Sequence, residues 1–309
     1  MNENKKTFLI PILIPIIIIL IGLILQLIIG NINFSLFAFP LNVILLFLIL
    51  FFIIQLKKSN NHKFKNIYYY LSSIHCSLSS IFTIVLLSLI IGIVPQSFSF
   101  YINNTDDILG LYQLNMTWYF AFALLYFIVN LFAVIIKRIT KINYKNIIFI
   151  LIHLGIFLVV VAMFFGEADY KNYKIILNKE TFSNNAVTDK LQNYSLPFFI
   201  KINNISIEKY DNGELKNSVV KIDITDFMNI YDDKENSNFI TVSISVNSPF
   251  KYKGYNIYLF NYDTINMDKC VCYLVYSPWD YIIIAGIIFM LLGTMLLFIN
   301  KGRANSELG

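Results

Sequence analysis

The side chains best suited to chemistry are the three histidines and three cysteines. His62 stands among lysines in a polar loop and reads as a solvated loop residue. His75 and His153 fall instead within long apolar runs, where an ionisable group is costly and usually faces a partner or a cavity. His153 sits in Phe149-Ile150-Leu151-Ile152-His153-Leu154-Gly155. It is about seven residues from the end of its run, or roughly 10 Å at 1.5 Å per residue. His75 lies within a few residues of the end of its own run, so the two stand at similar depths. A neutral imidazole so placed either hydrogen-bonds a neighbouring Ser, Thr or carbonyl, or serves as an axial ligand to haem iron, whose apolar ring suits a slot between helices. The serines around His75 (Ser72, Ser73, Ser77, Ser79, Ser80) weight it toward the first alternative.

Cys270 and Cys272 form Cys-Val-Cys in a strand-like run, and residues two apart on a strand share a face. The spacing fits neither a thioredoxin-type nor a c-type haem attachment motif. The pair reads as two strand thiols or as a strained bond between them. Cys76 packs as a small hydrophobe. Asp106, Asp107 and Asp169 read as solvating loop ends. Tyr68, Tyr69, Tyr70, Tyr119, Tyr144, Tyr281, Trp118 and Trp279 form an interfacial belt. There is no Gly-rich phosphate loop, Ser-His-Asp set, His-Glu-x-x-His or acidic metal cluster, so a stand-alone enzyme of soluble type is excluded.

The elements that position these residues follow from composition. Of 309 residues, 57% are hydrophobic and 14% charged, with a mean hydropathy of +0.64. A soluble globular protein is about 25% charged. Six stretches approach the roughly 20 apolar residues of a membrane-crossing helix: Thr7 to Ile29, Leu41 to Leu56, Leu71 to Val94, Trp118 to Ile136, Ile147 to Phe165 and Trp279 to Ile299. The first is too long and lacks the cleavage site of a signal peptide, so it reads as a retained anchor. Lys57, Lys58, Lys63 and Lys65 follow the second span, and Lys137, Arg138, Lys141 and Lys145 follow the fourth. Lys301 and Arg303 follow the sixth. With six spans all these bases fall on one side, which places both termini in the cytoplasm.

Between the fifth and sixth spans, short β-type runs alternate with turn residues: Tyr173 to Leu177, Phe198 to Ile202, Ile205 to Tyr210, Val219 to Ile224, Phe239 to Val246, Tyr255 to Tyr262 and Cys270 to Tyr276. Asn203-Asn204 reads as one of the turns. The fold expected is a polytopic α-helical membrane protein with six transmembrane helices and an extracytoplasmic all-β domain, sandwich or barrel-like, between helices five and six. Its parts are an N-terminal transmembrane hairpin (1–60), helices three to five (61–166), the β domain (167–277), and a last helix with a cytoplasmic tail (278–309).

The order of parts resembles the ResB/CcsB family of cytochrome c biogenesis proteins, in the short form of Bacteroidetes-like bacteria. The resemblance runs over Leu71 to Asn300. It rests on Leu71-Ser72-Ser73 with Gly92-Ile93-Val94-Pro95-Gln96, and on Thr117-Trp118, Asn130-Leu131 and Lys137-Arg138. It continues with His153-Leu154-Gly155, Phe165-Gly166-Glu167-Ala168-Asp169, Asn247-Ser248-Pro249, Lys253-Gly254-Tyr255-Asn256-Ile257-Tyr258 and Ser277-Pro278-Trp279. The resemblance implies a haem-handling membrane subunit that works with a CcsA/ResC-like partner. The pair would carry haem b across a bacterial cytoplasmic membrane for attachment to apocytochrome c. It implies an accessory role in a holocytochrome c synthase, with His153 as the axial ligand. His75 has no family counterpart and rests on its own position. The expected partners are thus a CcsA-like protein, apocytochrome c and membrane lipid, with no nucleic acid. Two other readings are an assembly protein that positions its β domain without binding haem, and a transporter subunit. The unbroken spans, with no internal charge beyond the two histidines, argue against the last.

Overall fold

The structure, a computed structural model, describes residues 3–96, 107–140, 143–188, 192–209, 215–226, 239–245, 247–263 and 266–306. It contains two compact units, Met1–Asp169 with Trp279–Gly309, and Tyr170–Pro278.

The first unit is helical: α1 (Glu3–Ile29), α2 (Leu41–Lys58), α3 (His62–Leu71), α4 (Ile74–Ile93), α5 (Trp118–Ile139), α6 (Tyr144–Gly166) and α7 (Asp280–Ser306). Among the described residues five of these, α2 and α4 to α7, are long and apolar enough to cross a membrane. In α1 the described part of the apolar run is Leu13–Ile29. The starts follow from capping side chains, which accept backbone N–H groups that the first turn leaves without partners. Ser73 accepts from Cys76, Thr117 from Phe120 and Asn143 from Asn146. α5 is the most enclosed span, and α1, α2, α3, α4 and α6 all pack against it. α1 and α2 make their main contacts elsewhere than with each other, α1 with α5 and α4, and α2 with α3, α5 and α6.

The serine run does not open a single span. The chain breaks at Ser72 and Ser73, which end the short amphipathic α3 and begin α4. The carbonyls exposed by that break are taken up by α5: Asn130 Nδ2 donates to Leu71 O at 2.6 Å and Lys137 Nζ to Ser72 O at 3.1 Å. Parts of the expected aromatic belt point inward instead. Tyr68 and Tyr119 are buried, and Tyr70 meets the Tyr126 hydroxyl at 2.9 Å. Cys76 also donates to that hydroxyl, at 3.1 Å, so it is more than a small hydrophobe.

Asp169 is not a solvated loop end. It is buried just beyond α6, where its backbone N–H closes a turn onto Gly166. Its Oδ1 accepts from the Phe39 amide at 2.7 Å. Its Oδ2 accepts from Asn42 Nδ2 at 2.7 Å and Trp279 Nε1 at 2.8 Å. Gly166 makes room for this arrangement, since a Cβ there would lie 2.8 Å from Trp279 Cγ. Asp107 is also engaged, accepting from the Leu111 and Tyr112 amides. Asp106 lies outside the described residues.

The second unit is one antiparallel sheet of eight strands: β1 (Lys171–Asn178), β2 (Ser183–Thr188), β3 (Asn193–Lys209), β4 (Leu215–Asp226), β5 (Ile240–Ser245), β6 (Phe250–Tyr252), β7 (Tyr255–Tyr262) and β8 (Lys269–Tyr276). The spatial order is β5-β4-β3-β2-β1-β8-β7-β6, so there are not two hydrogen-bonded sheets as in a sandwich. The sheet curls onto itself. Phe198 on β3 meets Tyr252 of β6 at 5.1 Å and Tyr255 of β7 at 5.6 Å, although β2, β1 and β8 intervene in the order. Alternate residues fill the inside: Ile175 and Leu177, Phe198 and Ile200, Ile222 and Ile224, Ile257 and Leu259, Cys272 and Leu274. Asn203-Asn204 is a bulge within β3 rather than a turn, because the register shifts between Ile202 and Asn204. Asn203 Nδ2 lies 3.1 Å from both oxygens of the buried Asp223, and Thr241 Oγ1 is a second donor, at 2.6 Å.

At one end of the sheet, Lys253 Nζ lies 2.7 Å from Asp226 Oδ1, and the Tyr252 hydroxyl donates to the same oxygen at 2.8 Å. The hydrogen bonds from Lys253, then from Tyr252, hold the Asp226 carboxyl below the usual carboxylate range. A carboxyl depressed in the folded state stabilises it above its unfolded value, about pH 4, and that contribution is lost as pH falls through the lower folded value. The β6–β7 turn should therefore loosen in acid before the rest of the sheet. Hydrogen exchange at Lys253 and Gly254 should rise below about pH 4, and Asp226→Asn should show the loosened turn already at neutral pH.

Replacing Asp169 by Ala should destabilise the helical unit more than Trp279→Phe. The first change orphans three donors at about 1–3 kcal/mol for each that stays buried, and the second removes one donor. Thermal unfolding of the purified chain measures the difference.

Candidate functional site

α6 presents different surfaces on different sides. One carries Gly155, against which α7 closes to backbone contact. A Cβ on Gly155 would lie 2.5 Å from Gly286 O, and one on Gly286 would lie 2.7 Å from Gly155 O. Gly293 continues this seam against Ile152. Small residues permit such an approach between apolar helices.

His153 is two residues away along α6, so its side chain leaves the helix well round from Gly155. Its ring lies flat on Phe149, with centroids 3.6 Å apart and planes 19° apart. Its Nδ1 is 2.8 Å from Phe149 O. A carbonyl can only accept, so the neutral ring carries its proton on Nδ1 and keeps a lone pair on Nε2. Among the described residues this is the ring's one hydrogen bond, and the side chain is half-buried. The local alternative read from the sequence, a bond to a carbonyl, is realised at one nitrogen. It leaves the other in the tautomer that metal ligation needs, since the partner of one imidazole nitrogen sets the role of the other.

Arg138, at the end of α5, stands over the same Phe149 ring, its guanidinium carbon 4.9 Å from the centroid. Its Nη1 donates to Asn146 Oδ1 at 3.2 Å. Asn146 is buried in the first turn of α6, and its own amide is capped by Asn143. Arg138 in the sequence signals only which side of the membrane its loop faces. Its contact with Phe149 and Asn146 is a tertiary one between the end of α5 and the start of α6, and no local pattern announces it.

The other expected positions fall elsewhere. His75 is the second residue of α4, exposed, on a helix that packs against α5, as α6 also does. His62 Nδ1 pairs with Asn66 Nδ2 at 3.1 Å, on an exposed part of α3. Cys270 and Cys272 share the inner face of β8 as expected, as free thiols with sulfurs 3.9 Å apart in the core. No cluster of three or more His, Cys, Asp or Glu able to hold a metal forms among the described residues.

Residues 140–276 match the model of the ResB-like family. Over this stretch, less than half of its length, the chain is similar to the ResB-like family. The stretch takes in α6 with His153-Leu154-Gly155 and all eight strands. It is shorter than the resemblance read from the motifs, and leaves outside it the serine run, Asn130-Leu131, Lys137-Arg138 and Ser277-Pro278-Trp279. No curated protein matches the chain. Among solved structures it is similar to a chain named "Cytochrome c Heme Lyase CcmF", at 12% identity and a TM-score of 0.36, over 71% of this chain and 39% of that one. It thus spans well under half the length of that protein.

The glycine seam gives a direct test of how α6 is held. Gly155→Leu should force α6 and α7 apart, and overpacking of this kind typically costs 1–3 kcal/mol. The thermal midpoint of the purified chain should fall, whereas Ile156→Leu, a volume-conserving change beside it, should leave that midpoint nearly in place.

Proposed function

We propose that this chain is a haem-handling membrane subunit in cytochrome c biogenesis, with His153 as an axial ligand to iron through Nε2. The observation that carries the reading is an imidazole in an apolar span whose Nδ1 lies 2.8 Å from Phe149 O, a contact that in the neutral ring leaves the lone pair on Nε2. Within hydrocarbon such a group is expected to have a partner. The residues fit the cargo: an apolar helix, an imidazole of suitable tautomer, an aromatic ring flat against it and a cation beside that ring. Haem iron accepts neutral imidazole as an axial ligand.

The role of the chain's own residues follows from this. Phe149 O holds the proton at Nδ1 and orients the ring, and the Phe149 side chain limits its rotation. The glycine seam holds α6 on α7, so that His153 stands on a rigid support. In this reading a CcsA/ResC-like partner supplies the second layer of the slot and the opposing ligand, and apocytochrome c is the acceptor. Haem b is carried or bound transiently rather than kept. His75 is a secondary candidate, to be tested beside His153. The topology proposed is multi-pass in a bacterial cytoplasmic membrane, with both termini inside and the β domain outside, and with the fourfold division at residues 60, 166 and 277.

A second reading is favoured by where the family match lies, since residues 140–276 are mostly β unit. There the helices only hold that unit for a partner. One experiment separates the two. His153→Ala should remove the haem absorption of the purified complex and abolish c-type cytochromes while the protein level is kept. A silent His153→Ala, with maturation lost only on disrupting the sheet, supports the assembly reading instead.

A further inference from the structure

The geometry points to Arg138 as the residue that recognises a carboxylate of the tetrapyrrole bound at His153, an inference that rests on the haem-handling reading above. Phe149 is the link. His153 lies against its ring at 3.6 Å between centroids, and the Arg138 guanidinium carbon stands 4.9 Å from the same ring. The cation is therefore held within one aromatic ring's reach of the imidazole, although the two residues belong to different helices.

Its orientation is built rather than incidental. The bond to Asn146 and the cation–π contact hold the guanidinium at the Phe149 ring, against the tendency of an exposed Arg to extend into water. The neighbouring cations are used differently. Lys137 Nζ donates to Ser72 O, and Lys57 Nζ donates to Ile136 O at 2.8 Å. Both complete helix ends. Guanidinium has five N–H donors in a fixed fork, suited to a carboxylate, and among the described residues Arg138 shows one hydrogen bond, to Asn146. A ligand with an apolar body, a metal centre and ionised carboxylates on its rim would use all three features: the span, Nε2 and Arg138. Haem with free propionates is such a ligand. The site would thus select the acid form of the porphyrin and set which edge of the ring faces the α5–α6 end.

The test uses the full chain purified in detergent, titrated with haemin and with haemin dimethyl ester, whose carboxylates are blocked. The wild-type protein should bind haemin roughly tenfold or more tighter than the ester, the effect of one charge-assisted hydrogen bond. Arg138→Gln should weaken haemin to the level of the ester and leave the ester unchanged. The absorption bands of the His153-ligated iron should persist in what still binds. Arg138→Lys should recover part of the preference. Equal affinity of the wild-type chain for the two compounds overturns the inference even if Arg138→Gln fails to fold. So does a preference that survives Arg138→Gln. Binding that His153→Ala does not alter overturns the haem-ligand reading itself, a distinct result visible in the spectrum.

Discussion

A single buried carboxylate organises the helical unit. Asp169 is removed from water, and an ionised carboxyl is tolerated there only when its oxygens are engaged. Here the donors come from three separate segments: the Phe39 amide ahead of α2, the Asn42 side chain within it, and the Trp279 indole that leads into α7. Each donor has a fixed reach, so the starts of α2 and α7 are set in height against the end of α6. Asn42 binds Phe165 O as well, which ties a carbonyl of the last turn of α6 into the same knot. Two of the family-like motifs, the one that ends in Asp169 and the one that contains Trp279, are thereby explained as the halves of one contact.

With its end fixed, α6 can serve two purposes along its length. The glycine side meets α7 at backbone distance and contributes rigidity. Elsewhere on the helix, an imidazole and an aromatic ring stand beside a guanidinium from α5. A helix locked on one side is the support that a ligating side chain needs, because a ligand's precision is limited by that of the element it stands on.

Much of this was legible in the residues. Long apolar runs announced the spans, alternation announced most of the strands, and the rarity of ionisable groups in hydrocarbon singled out His153. What escaped had physical causes. β2 is polar, with only Ala186 fully buried, and β6 is three residues long, so neither shows a period. Asn203-Asn204 has the composition of a turn, but a bulge needs similar residues, and only the partner strand distinguishes them. The serines before Cys76 were hidden in an apolar average, though as capping residues they mark a break. Asp169 and Arg138 were read by charge and position near the membrane surface. Their roles depend on groups far away in the chain, at Phe39, Asn42 and Trp279 for one and at Phe149 for the other.

The two thiols of β8 have a different significance. They sit 3.9 Å apart inside the curled sheet with almost no exposure, and the hydrogen bond with Cys270, together with burial, pushes the Cys272 thiol upward, away from the reactive thiolate. Their chemistry is silenced by their mutual hydrogen bond and by enclosure. An alkylating reagent can reach them only in molecules whose sheet has opened, so the pair forms a natural clock for the breathing of this half of the protein.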